Sequence, residues 1–161
     1  MLFRSAGSGP EKRALEALAA TLGVAAAVTF TGRLEREAVA ALYRDADVAL
    51  NPSTVDNMPN SLLEALASGV PIVSTNVGGV PHIVQDGTTA LLVPPRDPEA
   101  MARAALRLLE NPELSELHRH ARCVKPKVSA CRGIVDVVLG VSTGHARYRS
   151  AQRRGATASP V

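Results

Sequence analysis

Asp56-Asn57-Met58-Pro59-Asn60-Ser61-Leu62-Leu63-Glu64-Ala65-Leu66-Ala67-Ser68-Gly69-Val70-Pro71 is the stretch on which the reading of this chain turns. An apolar run, Val48-Ala49-Leu50, precedes it and reads as a strand closed by Asn51-Pro52-Ser53. Pro59 presets a helical φ and marks the first helical position, with Asn57 or Met58 where a cap belongs. Gly69 stops the helix, and Pro71 opens the next strand. Strand, polar loop and helix N-terminus in succession offer unpaired backbone N–H groups and a positive dipole end to an anion. Two carboxylates lie eight positions apart, Asp56 before the helix and Glu64 just over a turn inside it. That spacing could hold a phosphate and sugar hydroxyls together.

The pattern on both sides is an alternation. Leu2–Ala6 reads as a strand ending in Gly7-Ser8-Gly9-Pro10, followed by a helix to Leu22 with Leu15, Leu18, Ala19 and Leu22 on one face. Val28–Thr31 is a β-branched strand closed by Gly32, and Glu35–Ala46 a helix with Val39, Leu42 and Tyr43 inward. Beyond Pro71 come a strand Ile72–Thr75, a bend at Gly78-Gly79, a short helix Pro81–Val84, the turn Asp86-Gly87 and a strand Ala90–Val93. Asp97 caps a helix Pro98–Glu110, and one or two further helical turns follow Asn111-Pro112. Short apolar strands alternating with helices specify an α/β fold, a parallel sheet with helices on both faces, whose ligands bind beyond the carboxyl ends of the strands.

Composition narrows the classes. The 161 residues include only two Phe, two Tyr and no Trp, so the core must be Ala, Val and Leu. No apolar run is long enough to span a bilayer and no signal peptide opens the chain, which makes a cytoplasmic protein the expectation. Two cysteines, Cys123 and Cys131, make no disulfide framework. The net charge of +3 divides unevenly: residues 1–120 carry −4 and residues 121–161 carry +7. The basic balance therefore belongs to a tail and is no sign of nucleic-acid binding.

Asp56-x7-Glu64 followed by Ala65-Leu66-Ala67-Ser68-Gly69-Val70-Pro71-Ile72-Val73 resembles the E-x7-E region of retaining, GT4-type (glycosyl transferases group 1) GT-B glycosyltransferases, with Asp in place of the first Glu. Gly7-x-Gly9-Pro10, Val28-Thr29-Phe30-x-Gly32-Arg33, Ala46-Asp47-Val48, Pro52-Ser53, Gly78-Gly79-Val80-Pro81, Asp86-Gly87 and Leu91-Leu92-Val93-Pro94 are similar to further landmarks of the donor-binding C-terminal domain, in order, over roughly residues 2–120. The resemblance implies one Rossmann-like half of a GT-B fold, residues 1–120, and transfer of a sugar from a UDP- or GDP-linked donor to an acceptor with retention of configuration. It implies no cofactor and no metal. It also leaves an N-terminal acceptor domain missing, together with the segment whose Arg and Lys grip the donor pyrophosphate in the family. After about Ala121 the resemblance ends, and a basic, non-family tail, 121–161, is expected to be disordered or an out-of-frame continuation.

Residue roles carry over from the same resemblance. Glu64 matches the Glu that accepts from ribose hydroxyls, a task that suits a carboxylate because vicinal hydroxyls offer two donors to its two oxygens. Asp56 matches the acid that contacts the transferred sugar, one methylene shorter, and is the candidate catalytic residue. Asn57, Met58, Pro59, Asn60, Ser61 and Leu62 form the loop expected to meet sugar and phosphate, and Gly32 and Arg33 are expected near the base. Gly7-Ser8-Gly9 has Lys12 where a dinucleotide fingerprint needs glycine. Asp45-Ala46-Asp47 spells D-x-D but straddles a helix end and a strand start, and His118, His120, Cys123 and Cys131 lack any usual zinc spacing. A non-catalytic nucleotide-sugar-binding or regulatory module is the alternative. Peripheral contact with the inner face of a membrane is admitted only for the complete enzyme.

Overall fold

The structure, a computed structural model, describes residues 2–120. The expectations placed on 121–161, disorder or an out-of-frame continuation, lie outside the described residues. Strands and helices alternate in the expected order: β1 (Phe3–Ala6), α1 (Lys12–Thr21), a 3₁₀ turn (Ala25–Ala27), β2 (Val28–Gly32), α2 (Arg36–Asp45), β3 (Ala49–Asn51), α3 (Asn60–Ser68), β4 (Ile72–Thr75), α4 (Val80–Ile83), β5 (Leu91–Val93), α5 (Pro98–Glu110) and α6 (Pro112–His120). No helix among the described residues is long and apolar enough to cross a membrane.

The chain divides into two compact units at the junction of Leu42 and Tyr43, within α2. In the first, β1 and β2 pair in parallel, Phe3 opposite Val28, and a register shift between Ser5 and Ala6 sets Ala6 opposite Gly32. The Gly7 N–H extends the ladder to the Gly32 carbonyl at 2.8 Å. Helix α1 starts at Lys12, two residues later than Pro10 suggests, and buries only Ala19. Leu15, Leu18 and Leu22 of its apolar stripe stay 46%, 51% and 65% exposed. A two-stranded sheet has too little apolar surface to cover a helix face.

The second unit holds a three-stranded parallel sheet in the order β3-β4-β5. The five strands thus hydrogen-bond as a pair and a triplet; among the described residues β1 pairs only with β2, and β3 only with β4. Strand alternation divides the core of this unit into two layers. Ile72 joins Leu62, Ala65, Leu66, Val80, Val84 and Ala90 on one face, with Tyr43, Ala49 and Leu92 packed against them. Val73, Leu91 and Val93 meet Ala105 and Leu108 on the other, with Val48, Leu50 and Leu114 alongside. Helices α3 and α4 cover the first face and α5 the second, the both-sided arrangement expected of the sheet. Burying Leu62 and Ile72, each 1% exposed, stabilises by about 1.5–3 kcal/mol apiece.

Local chemistry sets the helix limits. Asp97 accepts from the Ala100 N–H at 2.8 Å and Pro98 fills the first turn, so α5 starts where the sequence says. Gly69, at φ 69°, ends α3 in a Schellman motif. Its N–H donates to the Leu66 carbonyl, and the Val70 N–H donates to the Ala65 carbonyl, both at 3.1 Å.

Candidate functional site

Strand β3 ends at Asn51, and the loop from Pro52 to Pro59 leaves the carboxyl end of the sheet to enter α3. Two features hold that loop. The first is a close approach of backbones: the Gly79 N–H donates to the Asp56 carbonyl at 3.0 Å. A Cβ on Gly78 would lie 2.1 Å from the Asp56 carbonyl oxygen, and one on Gly79 would lie 1.8 Å from that of Asn57. Side chains are therefore excluded from both positions, and Gly78 also takes φ +49°.

The second feature is a polar network at the ends of β3 and β4. Asn51 is 8%, Ser74 0% and Thr75 3% exposed, and each is hydrogen-bonded, as buried polar groups must be. The Asn51 amide donates to Ser74 Oγ at 3.1 Å, and Ser74 Oγ donates to the Thr75 carbonyl at 3.2 Å. Thr75 Oγ1 donates to the Ser53 carbonyl, with the Asn51 carbonyl 3.4 Å away. Ser53 Oγ stands 2.9 Å from Asn51 Oδ1 and 3.5 Å from Asp56 Oδ2. The other oxygen of Asp56, Oδ1, accepts from the Met58 N–H at 3.2 Å, closing an Asx turn.

These contacts move the start of α3. Pro59 precedes the helix, with ψ 108°, and Asn60 is the first helical residue, so the placement of Pro59 inside the first turn is corrected. No side chain caps this end. Leu62 and Leu63 donate their N–H groups to the Pro59 carbonyl at 3.1 and 3.3 Å. No hydrogen bond from the N–H of Asn60 or Ser61 occurs within the described residues. Both residues are exposed, so two donors at the positive end of the helix face solvent.

Of the residues singled out in the sequence, Asp56, Asn57, Met58, Asn60, Ser61 and Glu64 come together around this helix start. Pro59 has no N–H and is buried, and Leu62 has its side chain in the core and its N–H already bonded. Neither offers the loop a donor. Gly32 and Arg33 sit at the carboxyl end of β2 in the first unit, Gly32 at φ +72° and Arg33 exposed. Glu64, half-buried, lies beside Tyr43 of α2. Burial first, and the Glu64 charge second, push the Tyr43 phenol up to about 12. Its hydroxyl donates to the Ser61 carbonyl at 3.0 Å, bracing the first turn of α3. Tyr43 reads from its spacing as a core residue, whereas the functional contribution of Asn51, Ser74 and Thr75 emerges only from the structure. A polar residue closing an apolar strand, as Asn51 does, is the only signal they leave.

The description "Glycosyl transferases group 1" matches residues 2–111, well over half of the chain. The chain belongs to the glycosyl transferases group 1 family. Over 111 residues it is 41% identical to a D-inositol 3-phosphate glycosyltransferase of Streptomyces griseus, covering 68% of this chain and 24% of that protein. It is 37% identical over 115 residues to an alpha-D-kanosaminyltransferase of Streptomyces kanamyceticus, covering 71% and 30%. A sucrose-phosphate synthase from Thermosynechococcus elongatus superposes with TM-score 0.69 at 27% identity, over 94% of this chain and 38% of that one. Anabaena HepE, solved in complex with UDP-glucose, superposes with TM-score 0.70 at 18% identity, a likeness of fold, over 93% and 41%. The chain thus spans about a quarter to a third of the length of the curated relatives it matches.

Proposed function

We propose that residues 2–120 are the donor-binding half of a GT4-type GT-B glycosyltransferase, and that the β3–α3 loop takes a UDP- or GDP-linked sugar. The observation that carries this reading is the uncapped start of α3, with the Asn60 and Ser61 N–H groups open and Asp56 and Glu64 on either side, in a chain of this family. The open donors and the helix dipole would receive the diphosphate and stabilise the charge that develops as it leaves. Glu64 would accept from ribose hydroxyls, and Asp56 from hydroxyls of the sugar. The reaction is transfer to an acceptor with retention at the anomeric carbon, without metal or cofactor.

One feature supports an enzyme completed by further segments: the α1 stripe Leu15, Leu18 and Leu22 is exposed among the described residues. An N-terminal acceptor domain would supply the second wall and exclude water from the reacting centre. The chain by itself is then a weak donor binder without turnover, and any membrane contact belongs to the complete enzyme. Calorimetric titration of the chain with UDP- and GDP-sugars, with a donor-hydrolysis assay, tests this. Weak binding that gains turnover when an acceptor domain is added in trans supports it. Binding with no turnover in that mixture assigns a non-catalytic module, and no binding by a folded chain refutes the donor site.

A further inference from the structure

The two oxygens of Asp56 are not equivalent. Oδ1 is committed to the Met58 N–H at 3.2 Å, within the loop. Oδ2 faces the Ser53 hydroxyl at 3.5 Å, but that hydroxyl has one proton and a nearer acceptor, Asn51 Oδ1, at 2.9 Å. At 3.5 Å a side-chain hydrogen bond is at the limit of significance, whereas 2.9 Å is ordinary. The proton of Ser53 therefore goes to Asn51. Asn51 is fixed for that role: its amide N–H₂ donates to Ser74 Oγ, 0% exposed, on the neighbouring strand, which turns its carbonyl oxygen towards Ser53.

We propose that Asn51 is a positioning residue: anchored on Ser74, it takes the Ser53 proton and leaves Asp56 Oδ2 available as an acceptor for a hydroxyl of the bound sugar. This rests on the reading of Asp56 as the sugar-side acid. A carboxylate that recognises hydroxyls needs unoccupied lone pairs, and a serine 3.5 Å away would fill one of them if its proton were free. The chain places a polar amide in a buried strand end to prevent this, where an apolar residue would pack without needing a partner.

The test reads the sugar increment, the ratio of nucleotide to nucleotide-sugar dissociation constants, by calorimetry on the full chain. The probes are UDP with UDP-glucose and GDP with GDP-mannose. Asn51→Leu frees the Ser53 proton for Asp56, so the increment is expected to shrink by roughly tenfold, the worth of one hydrogen bond to a charged group, while affinity for the bare nucleotide changes less than about twofold. Ser74→Ala, which loosens the anchor of Asn51, is expected to shrink it less. In the double variant Asn51→Leu/Ser53→Ala no proton competes for Asp56, and the increment should return. A merely structural Asn51 would not be rescued by removing Ser53. Equal loss of bare nucleotide and nucleotide sugar in Asn51→Leu, or no recovery in the double variant, overturns the assignment. Unaltered chain that binds bare nucleotide with no sugar increment overturns it too and leaves the nucleotide site standing. Failure of the folded, unaltered chain to bind either pair refutes the donor site as well.

Discussion

Gly79→Ala isolates the contact that holds the candidate site together. Gly79 has φ −82°, a value alanine adopts freely, so the substitution carries no backbone strain of its own. Its cost comes from the Cβ, which would stand 1.8 Å from the Asn57 carbonyl oxygen and 2.8 Å from its carbon, where ordinary contacts begin at 3.4 Å. Both partners are backbone, so no side chain can swing aside. The loop and the turn after β4 must separate by about 1.5 Å, and the Gly79 N–H to Asp56 carbonyl bond, now 3.0 Å, is lost or badly stretched. Overpacking of this kind costs about 1–3 kcal/mol, and the lost hydrogen bond about 1 kcal/mol more. A total of about 2–4 kcal/mol corresponds, for a unit of this size, to a fall in Tm on the order of 10–20 °C. Gly87→Ala is the control, because Gly87 has φ +71° and open space where its Cβ would go. It suffers only the left-handed backbone penalty of about 1–2 kcal/mol. Urea unfolding and thermal melts followed by circular dichroism measure both. If Gly79→Ala melts within about 2 °C of the unaltered chain, or if Gly87→Ala is the more damaging of the two, the close approach is not a rigid constraint and the account of the loop is wrong.

Three other outcomes are expected. Tyr43→Phe removes the hydroxyl that donates to the Ser61 carbonyl at 3.0 Å, and should destabilise by about 0.5–1.5 kcal/mol in chemical denaturation. Because the folded phenol is raised to about 12 from 10.0, the native state holds its proton more tightly; the corresponding stability is complete below pH 10, falls as pH rises towards 12, and this slope should vanish in Tyr43→Phe. His118, 3% exposed, has both ring nitrogens without a hydrogen-bond partner among the described residues. Burial lowers its pKa below the usual 6.5, with the Arg107 charge adding to the shift and the Asp86 charge opposing it. Unfolded chain therefore takes up the proton first, so stability is kept above pH 6.5 and lost below it, and a Tm series from pH 7.5 to 5 should fall more steeply for the unaltered chain than for His118→Leu. Asp97→Ala deletes the α5 cap to the Ala100 N–H and should cost about 1 kcal/mol, read as an earlier urea midpoint at unchanged m-value.

The elements legible in the sequence are those set by local chemistry. Ile72–Thr75 and Pro98–Glu110 have the limits expected of them, because an apolar run flanked by turn residues, and an Asp-Pro cap followed by an amphipathic stripe, need no distant partner to be recognised. Non-local contacts account for the differences. Pro59 favours the first helical position, but the Asx turn at Asp56 and the glycine contact behind it hold Pro59 extended, and α3 begins one residue later. The stripe on α1 reads as a core face from its spacing; whether it is covered depends on how many strands lie beneath it, which spacing cannot say. Asn51 and Ser74 are 23 positions apart, and only the parallel register of β3 on β4 brings them together. The anion-binding character of the Asp56–Pro71 stretch could be argued from residues alone, whereas the roles of its two acids rest on family resemblance.

The candidate acids are held by different means, and this bears on how such a site can change. The loop carrying Asp56 is fixed by its backbone: its carbonyl bonds Gly79, and two glycines fit against residues 56 and 57. The Asp56 side chain adds one contact to the Met58 N–H and otherwise faces Ser53. The backbone contacts at residues 56 and 57 do not involve the Asp56 carboxylate. Glu64 instead depends on α3 as a body, seated by Leu62, Leu63, Ala65, Leu66 and Ala67 and braced by Tyr43 at Ser61. Moving Glu64 means moving a helix packed on the sheet, at a cost of several kcal/mol. The side of the site proposed to grip the nucleotide is thus built into the core, while the side proposed to read the sugar hangs on an exchangeable side chain over a fixed backbone. On the proposed reading, selection among sugars is open to change at the Asp56 side chain, while the nucleotide side is set by the packing of α3.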